Sequence, residues 1–122
     1  MAISEIYSGT LDMAFASLGG VSLLTNAPAA SVITTTGVFQ LYIDTTDMRA
    51  GHTFTIFIKE KITAGGTQKT IYSATLDGAQ SAPFVSPGFI LYHGWDFRLE
   101  WTQRTIDGLP NMVFDWSIRQ IA

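Results

Sequence analysis

The segment from Trp95 to Ile121 contains two runs in which apolar and polar side chains alternate. The apolar positions of the two runs are Trp95, Phe97, Leu99, Trp101, Met112, Phe114, Trp116 and Ile118. An apolar period of two is typical of a β-strand with one buried face. The turn formers Asp107-Gly108 and Pro110-Asn111 separate the runs. We therefore predict a long antiparallel hairpin whose apolar residues share one buried face.

The same alternation predicts strands elsewhere, and no segment predicts a helix of about ten residues or more. The clearest strands are Val38–Asp44, Thr53–Ile62 and Gln68–Leu76. Pro83 and Pro87 exclude residues 79–88 from the centre of a sheet. Short strands separated by turns predict an all-β, single-domain antiparallel β-sandwich of jelly-roll type, with a small β-barrel as the alternative. No linker or internal repeat is apparent, so residues 1–122 are predicted to form one domain, with residues 1–9 as an N-terminal arm.

Composition excludes several classes of function. The chain has 7 basic and 10 acidic residues, and the basic residues form no cluster of the kind that binds nucleic acid. It has no cysteine, which excludes disulfides and thiolate metal sites. No signal peptide or membrane span is predicted. Charged residues make up only 14% of the chain, and such a surface is expected either to meet a partner or to be rich in Ser and Thr.

Candidate catalytic groups are few. His52 and His93 each lie beside a glycine and are expected to be turn or surface residues, since the sequence shows no third metal ligand at a known spacing. Asp96, Glu100 and Asp115 are predicted to share one face of the hairpin. Paired carboxylates can hydrolyse glycosides, but Arg98 and Arg119 would lie on the same face, which favours a ladder of exposed ion pairs. We predict no enzyme, no cofactor and no bound metal.

The aromatic residues offer better candidates for a partner interface. Tyr42 and Phe57 each interrupt the polar side of a strand, and aromatic residues are enriched at interfaces. Residues 1–36 are weakly patterned and could add a strand to a neighbour's exposed sheet edge. The predicted interface residues are Ile3, Ile6, Tyr7, Tyr42 and Phe57.

Three segments give the chain a resemblance to a known group of proteins. They are residues 37–44 (GVFQLYID), residues 59–75 with KEK, GGTQ and YSAT, and residues 114–119 (FDWSIR). Over roughly residue 37 to the C-terminus, the chain resembles small structural proteins of tailed bacteriophages. The resemblance implies a capsid decoration or cement protein that binds the major capsid protein as a homo-oligomer, by analogy a trimer. It also implies location on the virion surface after assembly in the host cytoplasm, and it brings no catalytic residues.

A second function remains open from the sequence. β-Sandwich modules bind carbohydrates or receptors through exposed Trp and Tyr side chains, and this chain has 3 Trp and 4 Tyr. A carbohydrate- or receptor-binding module of a phage particle is therefore the alternative to the decoration protein.

Overall fold

A computed structural model describes residues 2–12, 20–27, 29–103 and 113–121 of the chain. Within these residues the structure is all-β, with nine strands and no helix. The strands are β1 (Ile3–Asp12), β2 (Val21–Ser22), β3 (Gly37–Ile43), β4 (Thr53–Lys61), β5 (Gln68–Asp77), β6 (Phe84–Val85), β7 (Phe89–Leu91), β8 (Trp95–Gln103) and β9 (Val113–Ile121). The predicted strands at residues 38–44, 53–62 and 68–76 are confirmed to within two residues at each end.

The strands form two antiparallel sheets. The front sheet has the order β1-β9-β3-β6, and β7 also pairs with β3; the back sheet has the order β2-β8-β4-β5. β6 and β7 pair with opposite ends of β3, so together they occupy one edge position that is interrupted around Pro87. Counting them as one strand gives two four-stranded sheets in jelly-roll order, a β-sandwich and not a closed barrel.

The predicted hairpin is wrong, because β8 and β9 belong to different sheets. β8 pairs with β2 and β4, whereas β9 pairs with β1 and β3. Both strands show the same alternation because both turn one face towards the core, but they do so from opposite sides. In a jelly roll, most connections cross between the sheets, so most successive strands do not pair; the hairpin of β4 and β5 is an exception.

The core lies between the two sheets. Of the residues predicted to be buried, Trp95, Phe97, Leu99, Phe114 and Ile118 are fully enclosed and Trp116 is 8% exposed. The side chain of Trp101 and the whole of Met112 lie outside the described part of the structure. The enclosed residues contact one another across the core and do not share one face. Aromatic rings join the sheets, for example Phe54 of β4 and Phe114 of β9, whose centroids are 5.6 Å apart.

One segment of the sequence is repeated, contrary to the prediction of no internal repeat. Residues 6–12 read IYSGTLD and residues 71–77 read IYSATLD. The first copy lies in β1 and the second in β5, and each of these strands is the edge of its own sheet. The sandwich therefore has the same heptapeptide at one edge of the front sheet and at one edge of the back sheet.

The two copies of the heptapeptide also have the same geometry. In each strand the pairing register shifts at the first residue of the repeat, Ile6 in β1 and Ile71 in β5, which is a β-bulge. The following Tyr residues, Tyr7 and Tyr72, lie opposite isoleucines of the neighbouring strands. The pair β1–β9 of the front sheet and the pair β5–β4 of the back sheet therefore have the same local register around the repeat.

The single difference within the repeat, Gly9 against Ala74, has a local cause. A Cβ atom on Gly9 would lie 3.1 Å from the indole of Trp116, its partner on β9. Ala74 pairs with the smaller Ile56 on β4. The large Trp116 side chain therefore favours glycine at this position of the front sheet.

Candidate docking surface

Large exposed apolar side chains are concentrated at one end of the sandwich. The described residues include eight of them, and six lie at the end where β1 begins and β9 finishes. We call these six residues the apolar end: Ile3 (68% exposed), Val32 (54%), Ile62 (67%), Ile90 (78%), Tyr92 (64%) and Ile121 (39%). The other two, Val85 and Val113, lie away from it.

Strand register places half of the apolar end in one row across the front sheet. Ile3 pairs with Ile121, Ile121 pairs with Val38, and Val38 pairs with Ile90. Directly opposed residues of antiparallel strands point to the same face. The outer face of the front sheet therefore carries a continuous apolar row over four strands.

Connections between the sheets bring the remaining residues to the same end. The carboxylate of Glu60, near the end of β4, accepts hydrogen bonds from the backbone N–H groups of Tyr92 (2.5 Å) and His93 (3.0 Å). The Lys61 backbone N–H donates to the Gly94 carbonyl at 3.3 Å, which places the following residue Ile62 beside this turn. Val32 packs there too, since a Cβ on Gly94 would lie 2.7 Å from Val32 Cγ1.

A cavity next to the apolar row contains a stacked cation. It has a volume of about 330 Å³, and its lining includes Ile3, Ile121, Tyr42 and Arg119. The Arg119 guanidinium carbon lies 3.6 Å from the centroid of the Tyr42 ring, and the Tyr42 hydroxyl donates to Gln40 Oε1 at 3.1 Å. No acidic side chain of the described residues lies within ion-pair distance of Arg119. The cavity thus offers an apolar wall and a guanidinium with free donors.

The predicted ladder of exposed ion pairs does not form. Asp96 is fully buried in the back sheet, whereas Asp115 and Arg119 are exposed on the front sheet. Ser22 Oγ donates to Asp96 Oδ1 at 2.7 Å, and the backbone N–H of Ser31 donates to Oδ2 at 3.2 Å. The segment that follows β2 covers this part of the sheet, so a residue on its outer side is removed from water.

The surroundings of Asp96 oppose its ionisation. Burial raises the pKa of Asp96 above its usual value, while the hydrogen bonds from Ser22 and Ser31 and the charge of Arg98 act in the opposite direction. Arg98 Nη1 lies 3.5 Å from Asp96 Oδ2. This buried polar cluster joins β2, β8 and residue 31, which is a structural role.

The five predicted interface residues do not form one surface. Ile3 and Tyr42 line the same cavity. Ile6 and Tyr7 are half-buried against the core, and the Tyr7 ring contacts Trp95 with centroids 6.0 Å apart. Phe57 lies on the back sheet, half-buried beneath Lys59. Residues 3–9 belong to β1 and are paired with β9.

The two histidines occupy different environments. His52 lies in the connection before β4, directly after the turn at residues 50–51, but it is only 1% exposed and its ring is stacked on Phe54 with centroids 6.4 Å apart, so it is not a surface residue. His93 is half-buried in the turn before β8. Among the described residues, no group of three or more His, Cys, Asp or Glu side chains could hold a metal ion.

Sequence reasoning missed most of the apolar end. Ile121 and Ile90 occupy outward positions of their strands, and alternation alone could have identified Ile121, two residues after the outward Arg119. Val32 and Ile62 lie in connections, where an apolar side chain has no periodic signal. Their meeting depends on contacts between distant segments.

Comparison of the chain with known proteins found no matching protein family, no matching curated protein and no matching solved structure. No helix within the described ranges is long and apolar enough to cross a membrane.

Proposed function

We propose that this chain is a non-enzymatic structural protein of a tailed-bacteriophage virion, a decoration or cement protein that binds the capsid lattice. In this proposal the major capsid protein is the partner, the chain acts as a homo-oligomer on the virion surface, and assembly takes place in the host cytoplasm. The resemblance of three sequence segments to phage structural proteins motivates the proposal. The jelly roll, a frequent fold of viral capsid domains, is compatible with it.

The apolar end is the observation that carries the docking part of the proposal. Contiguous apolar surface on a small soluble protein is typical of an interaction site. Three of the six side chains lie on strands of the front sheet and three lie in connections at the same end of the sandwich. The apolar end includes no described ion pair, which suits a lattice contact formed mainly by apolar burial.

The first experiment asks whether the protein is in the particle. Virions of the phage that encodes the chain are purified, and the copy number of the chain is measured by mass spectrometry relative to the major capsid protein. A fixed ratio that reflects lattice symmetry is the expected result. Absence of the chain from purified virions would rule out the proposal.

The second experiment tests the docking surface. Particles that lack the chain are incubated with purified protein, and bound protein is measured after sedimentation. The double variant Ile62→Ser/Ile90→Ser is expected to lose binding. The matched control Val85→Ser/Val113→Ser removes exposed apolar side chains elsewhere and is expected to bind as wild type. Equal binding by both variants would show that the contact with the particle does not use the apolar end.

The alternative function, binding of a carbohydrate or receptor, is favoured by the cavity beside Tyr42. An aromatic side chain and a guanidinium with free donors suit a sugar that carries a carboxylate. A glycan array distinguishes the two functions. Selective binding to acidic glycans, abolished by Arg119→Gln, would support the alternative. Absence of glycan binding would contradict the alternative and favour the decoration protein.

A further inference from the structure

The edge strands β1 and β5 leave their outer backbone groups open. Each is ten residues long and is the last strand of its sheet. Within the described residues, neither strand makes a backbone hydrogen bond along its outer edge. Long open edges are sites at which another chain adds a strand, and natural proteins usually cover or blunt them.

The repeated heptapeptide is complementary to itself in an antiparallel pair. If Gly9 of one copy lies opposite Ala74 of the partner subunit, Tyr7 meets Leu76 of the partner subunit and Leu11 meets Tyr72 of the partner subunit. In the same register, Ser and Thr lie opposite each other on the other face. Aromatic–aliphatic and Ser–Thr pairs are both favourable across antiparallel strands.

The two faces of the strands also match in this register. Tyr7, Gly9 and Leu11 face the core side of the front sheet, and Tyr72, Ala74 and Leu76 face the core side of the back sheet. Tyr7, Tyr72 and Leu76 are only half-buried in the single chain. Pairing of the two edges would cover these side chains further and place small residues opposite each other at the centre.

We propose that copies of this chain associate head to tail, with β1 of one copy pairing antiparallel to β5 of the next through the repeated heptapeptide. Repeated from copy to copy, this contact uses both open edges of every chain, whereas pairing of β5 with β5 alone, or of β1 with β1 alone, uses only one edge of each chain. It joins two different edges, and such a contact closes into a ring when the rotation between copies allows it. The proposal names the contact of the homo-oligomer and to that extent rests on the proposed function.

The absence of cysteine from the chain makes a crosslinking test direct. Ser8 and Thr75 are exposed and would lie opposite each other between copies. Directly opposed residues of antiparallel strands have Cα atoms about 4.5–5.5 Å apart, within the range of about 4.4–6.8 Å that a disulfide spans. Two single-cysteine proteins, Ser8→Cys and Thr75→Cys, are mixed under mild oxidation and resolved without reductant.

The expected result is a disulfide-linked heterodimer that forms only in the mixture. The matched control replaces Thr75→Cys with Thr63→Cys, an exposed residue of the β4–β5 turn, and is expected to give several-fold less heterodimer. Equal yields in the two mixtures would overturn the proposal. Homodimers of Thr75→Cys alone or of Ser8→Cys alone, at the yield of the mixture, would overturn it in favour of like-with-like pairing.

The crosslink is measured on free protein, so it separates this inference from the proposed function. A specific heterodimer with no binding to particles would support the edge contact and contradict the decoration protein. Binding to particles without the heterodimer would contradict the edge contact alone.

Discussion

Arg119 of β9 lies over the ring of Tyr42 on the neighbouring strand β3, with its guanidinium carbon 3.6 Å from the ring centroid. Lys59 occupies the equivalent position of the back sheet, because Arg119 follows Ile118, the partner of Tyr7, and Lys59 follows Ile58, the partner of Tyr72. The amino group of Lys59 lies 5.6 Å from the centroid of the Phe57 ring. A cation therefore lies over an aromatic ring on the outer face of each sheet, a ring of the neighbouring strand in the front sheet and a ring of the same strand in the back sheet.

This pair of cations allows a matched measurement of the stacking. Arg119→Gln is expected to lower the free energy of unfolding by about 0.5–1 kcal/mol, because a close cation–π contact at an exposed site is lost. Lys59→Gln should cost less, since its contact is longer. Urea denaturation at neutral pH measures both. A larger loss for Lys59→Gln than for Arg119→Gln would contradict the stacking geometry.

The close approach of Gly9 to Trp116 predicts that alanine, the residue of the second copy of the repeat, is unfavourable at position 9. Gly9→Ala is expected to destabilise the protein by about 1–3 kcal/mol, because the new methyl group would crowd the indole. In a Trp116→Leu background the same substitution should be neutral or stabilising, since alanine is preferred to glycine in a strand. Thermal or urea unfolding of the four proteins gives the coupling energy. Additive effects would show that the two residues do not compete for space.

The raised pKa of Asp96 predicts how the stability of the protein depends on pH. Because the folded pKa of Asp96 is raised, the folded state binds a proton more tightly than the unfolded state. The stability contributed by this group therefore increases as pH falls through the folded pKa, and it levels off below the unfolded value of about 3.8. Asp44 acts in the opposite direction, since its hydrogen bonds from Thr46 lower its pKa.

A variant isolates the contribution of Asp96 from that of the other carboxylates. Asp96→Asn does not titrate, so the stability of wild type relative to this variant should rise on acidification. Urea unfolding midpoints of both proteins at several pH values measure the difference. A difference that stays constant or falls would mean that Asp96 is already stabilised as the anion.

The two histidines should respond differently to removal. His52→Ala is expected to cost about 1–3 kcal/mol, because a buried ring stacked on Phe54 is lost. His93→Ala should change stability by less than about 0.5 kcal/mol, since the half-buried His93 ring contacts only the exposed Tyr92 ring among the described residues, with centroids 4.7 Å apart, and its backbone N–H bond to Glu60 would remain. Differential scanning calorimetry of both variants compares them. Equally small effects of the two substitutions would show that the His52 side chain is not buried.

Sequence reasoning succeeded where the signal was local. The alternation in β3, β4 and β5 reports which side of each strand is buried, and the hairpin between β4 and β5 follows from its Gly65-Gly66 turn. It failed where pairing depends on distant segments. β8 and β9 have similar patterns, and no local feature says that they belong to opposite sheets.

The same limit explains the misplacement of Asp96 and the missed docking surface. Alternation correctly puts Asp96 on the side of β8 away from the core, but it cannot show that residues 22 and 31 cover that side. Likewise, Ile62 and Tyr92 lie at the same end of the sandwich because the Glu60 carboxylate binds the backbone N–H of Tyr92. The repeated heptapeptide is visible in the sequence, but only the structure shows that both copies are edge strands.

Deletion of residues 2–9 tests whether β1 is part of the fold or a separable arm. Most of β1 would be lost, together with the cover it gives to Trp116 and Ile118 of β9 and the contact of Tyr7 with Trp95. We expect the free energy of unfolding to fall by about 3–5 kcal/mol, or cooperative unfolding to be lost, because large buried side chains would be exposed.

Ile3→Ser is the control. At 68% exposure its side chain contributes little to the core, so stability should change by less than about 0.5 kcal/mol. Urea unfolding followed by tryptophan fluorescence measures both proteins. If the truncated protein unfolds at the same midpoint as wild type, β1 is an arm that adds to a sandwich already complete without it, and β9 is then the edge of the front sheet.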